Sequence, residues 1–181
     1  MNKSPTTVQL NSFADCIISE PDMHKAIEFT AQRINSFYSG QELVFWPIMN
    51  SAIVFAGQLL PRLNMPLTMS CARVTRYTKN SASKNLQWIL KPSENIEGKH
   101  VLVCDDIFDE GITLQGVCEY AATLNPASVK SVVMVNKVHS RKPALFSPNW
   151  VAAEVPDRYV FGMGMDSNDY WRNAPGIWAE K

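Results

Sequence analysis

A chain of 181 residues with 46% hydrophobic and 19% charged residues has room for one domain with a sizeable core and falls among ordinary soluble globular proteins. Lys and Arg number 17, as do Asp and Glu, and this neutrality argues against a dedicated binder of nucleic acid or anionic membrane, which carries a basic excess. The opening residues MNKSPTTVQLNSFADC hold no secretory stretch, and no run reaches the length of a membrane span. Cys16, Cys71, Cys104 and Cys118 are scattered without CxxC spacing, which fits free thiols in a cytoplasmic protein. His24, His100 and His139 pair with no cysteine at zinc-ligand spacing.

Residues 1–18 read as a loose lead-in. SEPDMHKAIEFTAQRINSFYSG (19–40) predicts a helix. Ser19 caps its first turn with Asp22 in the capping-box position, Ile27, Ala31, Ile34 and Tyr38 recur at helical spacing, and Gly40 stops it. LVFWPIM (43–49) is a continuous apolar run, the pattern of a strand covered on both faces. SAIVFAGQLLPRL (51–63) predicts a helix ending near Pro61, and MPLTMSCARVTRY (65–77) a second strand. HVLVCDD (100–106) predicts a third strand, ITLQGVCEYAATLN (112–125) a helix and VKSVVMVNKV (129–138) a fourth strand. NWVAAEV (149–155) and RYVFGMGM (158–165) predict two short further ones. The alternation predicts an α/β fold, a central and mainly parallel sheet flanked by helices, with its ligand site beyond the carboxyl ends of the strands. TKNSASKNLQWILKPSENIEG (78–98) is polar and poor in core residues apart from LQWI. It reads equally well as a solvated excursion or as an active-site lid.

The stretch VLVCDDIFDEGIT (101–113) lies at one of those carboxyl ends. It is no Walker A loop, because Ile112 follows Gly111 where that loop needs lysine, and GxGxxG is absent. A strand nevertheless runs through a short loop into a helix beginning near Thr113. Gly111 lets the backbone approach a ligand, the helix start offers unpaired N–H groups to an anion, and Thr113 adds a hydroxyl. Asp105 and Asp106 supply carboxylates that accept sugar hydroxyls and attract Mg²⁺. A phosphorylated sugar suits both ends. For an arbitrary acidic pair the commoner reading is a solvated turn with a helix cap, and only the full string outweighs it.

That full string resembles the phosphoribosyl-pyrophosphate signature of type I phosphoribosyltransferases. VNKVHSRK and VPDRYVFGMGMDSNDYWRNAPGI are similar to the purine-binding hood of the hypoxanthine and hypoxanthine-guanine members. Block order and spacing match from about residue 40 to 178.

The resemblance implies one domain over residues 1–181, with a flexible lid at about 77–98 and a small hood at about 149–181 together with the N-terminal segment. It implies transfer of ribosyl 5-phosphate from 5-phosphoribosyl 1-diphosphate to N9 of a 6-oxopurine. Hypoxanthine and guanine remain open between them, since guanine's amino group is read by backbone carbonyls. Asp105 and Asp106 would hold the ribose hydroxyls, directly or through Mg²⁺. Asp109 would take the proton from purine N7. Glu110, Gly111, Ile112 and Thr113 would wrap the 5′-phosphate. Lys137 would donate to O6, Tyr159 would stack on the base and the backbone of Val160 would read its edge. Asp166 would bind a second Mg²⁺. Met49 and Asn50 would form the pyrophosphate loop with Arg172 holding pyrophosphate, and Tyr77 would close the lid. No nucleic acid or membrane partner is implied, and a homo-dimer or tetramer is. Each residue also has a plainer reading: Lys137 as a surface lysine, Tyr159 as a core aromatic, Arg172 as a partner of Asp169.

Three departures from the commoner family pattern stand out. DEGIT replaces DTGKT, with Glu110 expected to point away from the phosphate. Met49-Asn50-Ser51-Ala52 replaces Leu-Lys-Gly-Gly, which predicts weaker donor binding. Arg76 stands where serine is common. Rival readings are an RNA-binding regulator on the same fold, a catalytically weakened paralogue and a nucleoside hydrolase. The last lacks the acidic cluster expected near its N-terminus.

Overall fold

The run Leu43–Met49 forms a strand (β2) buried along nearly its whole length, and His100–Phe108 (β6) lies parallel beside it, Leu43 opposite His100. The computed structural model describes residues 9–76, 86–142 and 146–181. The remaining strands of the main sheet are Leu67–Met69 (β3), Ala72–Arg76 (β4), Leu86–Leu90 (β5), Ser128–Lys137 (β7) and Trp150–Val155 (β8). The order is β5-β4-β2-β6-β7-β8, with β3 also pairing β2. Every pair is parallel except β4 with β5.

Successive residues of a strand point to opposite faces, and two cores result. Phe45, Leu102, Cys104, Val132 and Met134 pack on one face against two helices, Glu20–Phe37 (α1) and Ile53–Leu59 (α2). Val44, Trp46, Val101, Val103 and Val133 pack on the other against Leu114, Val117 and Ala121 of Ile112–Ala122 (α3). Ser19 caps α1, its hydroxyl accepting the Asp22 N–H at 3.3 Å, and Met23, Ile27, Ala31 and Ile34 form its buried stripe. Beyond α2 the chain tightens into a 3₁₀ turn at Leu60–Arg62, where Pro61 removes a donor.

A second, antiparallel sheet joins Ala14–Ile18 (β1), Ile177–Glu180 (β10) and Val160–Phe161 (β9), in the order β1-β10-β9. Leu10, Ala14, Phe161, Ala174 and Trp178 form its own core, with Phe13 and Trp171 against it.

Several predicted elements differ. The lead-in contains β1. The strand expected over 65–77 is interrupted at Ser70 and Cys71 and resumes as β4, both pieces still alongside β2. The run 158–165 is extended only at β9 and then turns, Gly162 N–H donating to Met165 O at 2.9 Å. LQWIL, inside the stretch expected to be a lid, is β5, with Leu86 and Trp88 packed on the α3-side core. Tyr77 and residues 78–85 lie outside the described residues. Among the described residues no helix is long and apolar enough to cross a membrane. Parallel pairing brings Met49 and Lys137, the last residues of β2 and β7, to the same sheet edge as the acidic end of β6.

Candidate active site

Asp105 and Asp106 are both buried on β6. The Asp106 N–H donates to Asp105 Oδ1 at 3.0 Å. Burial pushes the Asp106 carboxyl up, opposed by hydrogen bonding to Asp105 and to the backbone and by the charge of Arg172. Beyond Phe108 the chain turns at Gly111, which takes φ +77° as the N-cap of α3. A Cβ there would lie 2.4 Å from the Phe108 ring, so conformation and space both demand glycine. The helix starts at once, Gln115 N–H donating to Gly111 O at 2.9 Å. The preceding amides of the first turn have no carbonyl within the helix to bond.

Asp109 sits between two donors. Lys137 Nζ reaches Oδ2 at 2.6 Å and His139 Nε2 reaches Oδ1 at 2.6 Å. Burial alone would push the Asp109 carboxyl up. The two hydrogen bonds and the positive charge at those partners outweigh it and hold the group below the usual carboxylate range. Lys137 is 11% exposed, so its plainer reading as a surface lysine is set aside. Lys142 braces the same corner, donating to Phe108 O at 2.9 Å and to Asn136 Oδ1, with its ammonium 4.2 Å from the Phe108 ring centroid.

Arg172 holds the opposite rim. It pairs with Asp166 at 2.8 Å and donates to Gly164 O at 2.8 Å and Ser51 Oγ at 2.9 Å. Its ion-pair partner is thus Asp166 rather than Asp169, whose N–H donates to Asp166 Oδ2 at 3.0 Å. The Met49–Asn50 peptide is cis, and neither Ser51 nor Ala52 has positive φ. The loop therefore runs its course without the conformation that glycine serves. Tyr159 is 55% exposed, which excludes its reading as a core aromatic. Burial and the charges of Asp166 and Glu180 raise its hydroxyl pKa. Val160, next in the chain, pairs with Ala179 in β9–β10.

A cleft of about 210 Å³ joins these parts, lined by Met49, Ser51, Asp105, Asp106, Asp109 and Thr113 among others. That is smaller than common ligand pockets, which run to roughly 300 Å³ or more. Glu110 and Ile112 line a separate hollow with Gln115, Glu119, Arg141 and Lys142. Another hollow of about 400 Å³ lies at the amino ends of β2, β3 and β6 and has no converging carboxylates. Among the predicted residues Asn50 does not line the cleft, while Lys137 joins it through Asp109, and Asp166 and Arg172 join it through Ser51.

Sequence reasoning gave no site role to His139 or Lys142, and it read Ser51 only as a missing glycine. A signal for His139 existed. Residues two apart at a strand end lie on the same side, so a lysine facing Asp109 brings the second residue beyond it as well.

The sequence profile of the phosphoribosyl transferase domain matches residues 16–168. The hypoxanthine-guanine phosphoribosyltransferase of Aquifex aeolicus is 30% identical over 164 residues, 90% of this chain and 92% of its own. The hypoxanthine phosphoribosyltransferase of Trypanosoma cruzi, solved in complex with the product IMP, superposes with a TM-score of 0.86 at 30% identity, over 93% of this chain and 95% of its own. A Staphylococcus aureus hypoxanthine phosphoribosyltransferase gives a TM-score of 0.89 at 26% identity, over 100% of this chain and 96% of its own. The chain belongs to the type I phosphoribosyltransferase family, among its hypoxanthine-guanine members.

Proposed function

We infer that the chain is a purine-salvage enzyme, moving ribosyl 5-phosphate from 5-phosphoribosyl 1-diphosphate to N9 of a 6-oxopurine, hypoxanthine or guanine, and releasing pyrophosphate. The observation that carries the chemistry is the Asp109 carboxylate held between Lys137 and His139, beside a buried acidic pair and a helix start.

On this reading the ribose hydroxyls bond to Asp105 and Asp106. The 5′-phosphate takes the amides of Glu110, Gly111, Ile112 and Thr113 at the start of α3. Lys137 leaves Asp109 and donates to purine O6, a contact that adenine's amino group cannot accept. Asp109 then receives the N7 proton, a step in the range of ~10²–10⁴-fold for general base catalysis. Tyr159 covers the base, the Val160 backbone meets its edge, and Arg172 with the Met49–Asn50 loop takes pyrophosphate. Positive charge develops on the ribose carbon in the transition state, so a lid over 77–98 serves to exclude water.

Mg²⁺ would be held by Asp105 and Asp106, with a second ion at Asp166, and it supplies charge neutralisation of the leaving diphosphate. Among the described residues no cluster of three or more metal-binding side chains exists.

We assign one domain over 1–181 with the β1-β10-β9 sheet as hood, a cytoplasmic location and a homo-dimer or tetramer. A regulator that binds RNA on the same fold is less favoured, because the net charge is zero.

The test is a steady-state assay with donor, Mg²⁺ and, separately, hypoxanthine, guanine, xanthine, adenine and uracil. Turnover of hypoxanthine or guanine, lost on chelating the metal and cut ~10²–10⁴-fold in Asp109→Asn, is the expected result. Nucleotide binding without turnover of any base would favour the regulatory reading.

A further inference from the structure

The two donors on Asp109 differ in kind. Lys137 ends β7 and, on the reading above, moves to the purine during the reaction. His139 lies two residues on, its side chain 3% exposed, and its second ring nitrogen is occupied as well: Nδ1 accepts the Arg141 N–H at 3.1 Å. A backbone amide only donates, so Nδ1 carries no proton. The proton therefore sits on Nε2, and the ring is a neutral donor to Asp109. Arg141 is itself tied to Asp157 by two hydrogen bonds of 2.8 and 2.7 Å. The imidazole is thus strung between an anchored amide and a carboxylate oxygen.

We propose that His139 is the positioning residue for the base, holding Oδ1 of Asp109 so that Oδ2, vacated by Lys137, is the one oxygen presented to purine N7. The proposal rests on Asp109 acting as the base. A carboxylate turns easily about its last bond, in a broad two-fold well. With Lys137 gone to the substrate, the His139 bond is the restraint that remains among those described. A neutral donor suits the task, because a second full positive charge would make Asp109 a poorer proton acceptor. The other charged groups that act on this pair and its partners are Arg141, Lys142, Glu154, Asp157 and Glu110.

The experiment compares four enzymes under one assay over pH 4.5–9: wild type, Asp109→Asn, His139→Met and His139→Gln. Methionine fills space without a donor, whereas a glutamine amide can place an N–H near the Nε2 position. Losing one hydrogen bond to a charged group, His139→Met should lower kcat about ten- to a hundred-fold while KM for the donor changes less than about two-fold. Its acid limb of kcat/KM should move to higher pH, since Asp109 loses one of the bonds that keep its carboxyl low. His139→Gln should recover most of kcat and the wild-type acid limb. Should His139→Met not fold, as read from its thermal melt, His139→Asn takes its place, because that amide sits near Nδ1 and falls short of Asp109. A wild-type kcat and acid limb in the donorless variant would overturn the proposal. So would a folded His139→Gln as impaired as His139→Met, which would mean a requirement for a cation or for the ring itself. If Asp109→Asn keeps full activity, the base reading fails first, and the four-way comparison separates that outcome from failure of His139 alone.

Discussion

Replacing Gly164 by alanine should damage stability and donor binding together. Gly164 takes φ +107°, and an added Cβ would lie 2.1 Å from the Ser51 carbonyl oxygen. Carbon–oxygen contacts in proteins settle at roughly 3.3–3.6 Å, so something must yield by about 1.2 Å. Neither neighbour is slack. Gly164 N–H donates to Arg172 O at 2.8 Å, Arg172 donates back to Gly164 O at 2.8 Å, and the same guanidinium holds Ser51 Oγ at 2.9 Å. The left-handed conformation costs a non-glycine residue about 1–2 kcal/mol and the overpacking about 1–3 kcal/mol. A middle figure of about 3 kcal/mol corresponds to a fall in Tm of roughly 6–12 °C for a chain of this size. Because the displaced atoms belong to the Met49–Ala52 loop and to Arg172, which we propose take pyrophosphate, kcat/KM for the donor should fall about a hundred-fold. Differential scanning fluorimetry and initial rates against donor concentration read both. Gly57→Ala is the control. Gly57 is exposed in α2 and a Cβ there meets nothing within 4 Å, so that change should stabilise by up to about 1 kcal/mol. A Gly164→Ala enzyme with wild-type melting and donor kinetics would refute the packing argument, and equal damage from Gly57→Ala would show that the effect is not local.

Ser51→Ala keeps the loop's bulk but removes one of the two acceptors of Arg172 Nη1; KM for the donor should rise about three- to ten-fold with kcat nearly constant, the discounted value of a hydrogen bond to a partly exposed charge. An unchanged KM would mean that Gly164 O and Asp166 suffice to hold the arginine. Burial pushes the Tyr38 hydroxyl up to about 12. An unfolded tyrosine titrates near ~10, so the folded state binds this proton more tightly. The associated stability is full below about pH 10 and is lost as pH climbs from there toward 12. Urea midpoints at pH 9, 10 and 11 should fall in the wild type and fall less in Tyr38→Phe; parallel curves would contradict the assignment.

What could be read from the residues alone was whatever had a local cause. The acid-rich stretch stood out because β6 is apolar until Asp105 and because Gly111 and the start of α3 follow within a few positions. α1 was legible from Ser19 and a 3.6-residue stripe. β1 was not, since ADCII is only partly buried and takes its meaning from a partner strand, IWAE, at the far end of the chain. LQWIL became a strand for a similar reason. Its polar surroundings predict a loop, but the antiparallel edge of β4 was available, and Leu86 and Trp88 found the α3-side core.

The departures in the two loops show most clearly where one-dimensional reading stops. Counted as a missing glycine, Ser51 predicted weaker donor binding. In three dimensions it is a gained hydroxyl that fixes the guanidinium expected to meet pyrophosphate. The glycine that this corner does require is Gly164, more than a hundred residues away and pressed against the Ser51 carbonyl. Glu110, expected to point away from the phosphate, lines the hollow that also contains Arg141 and Lys142, outside the acidic cleft. A substitution in such a loop has no fixed sign until the atom facing it is known. For Ser51, those atoms are the Arg172 guanidinium and the Gly164 backbone.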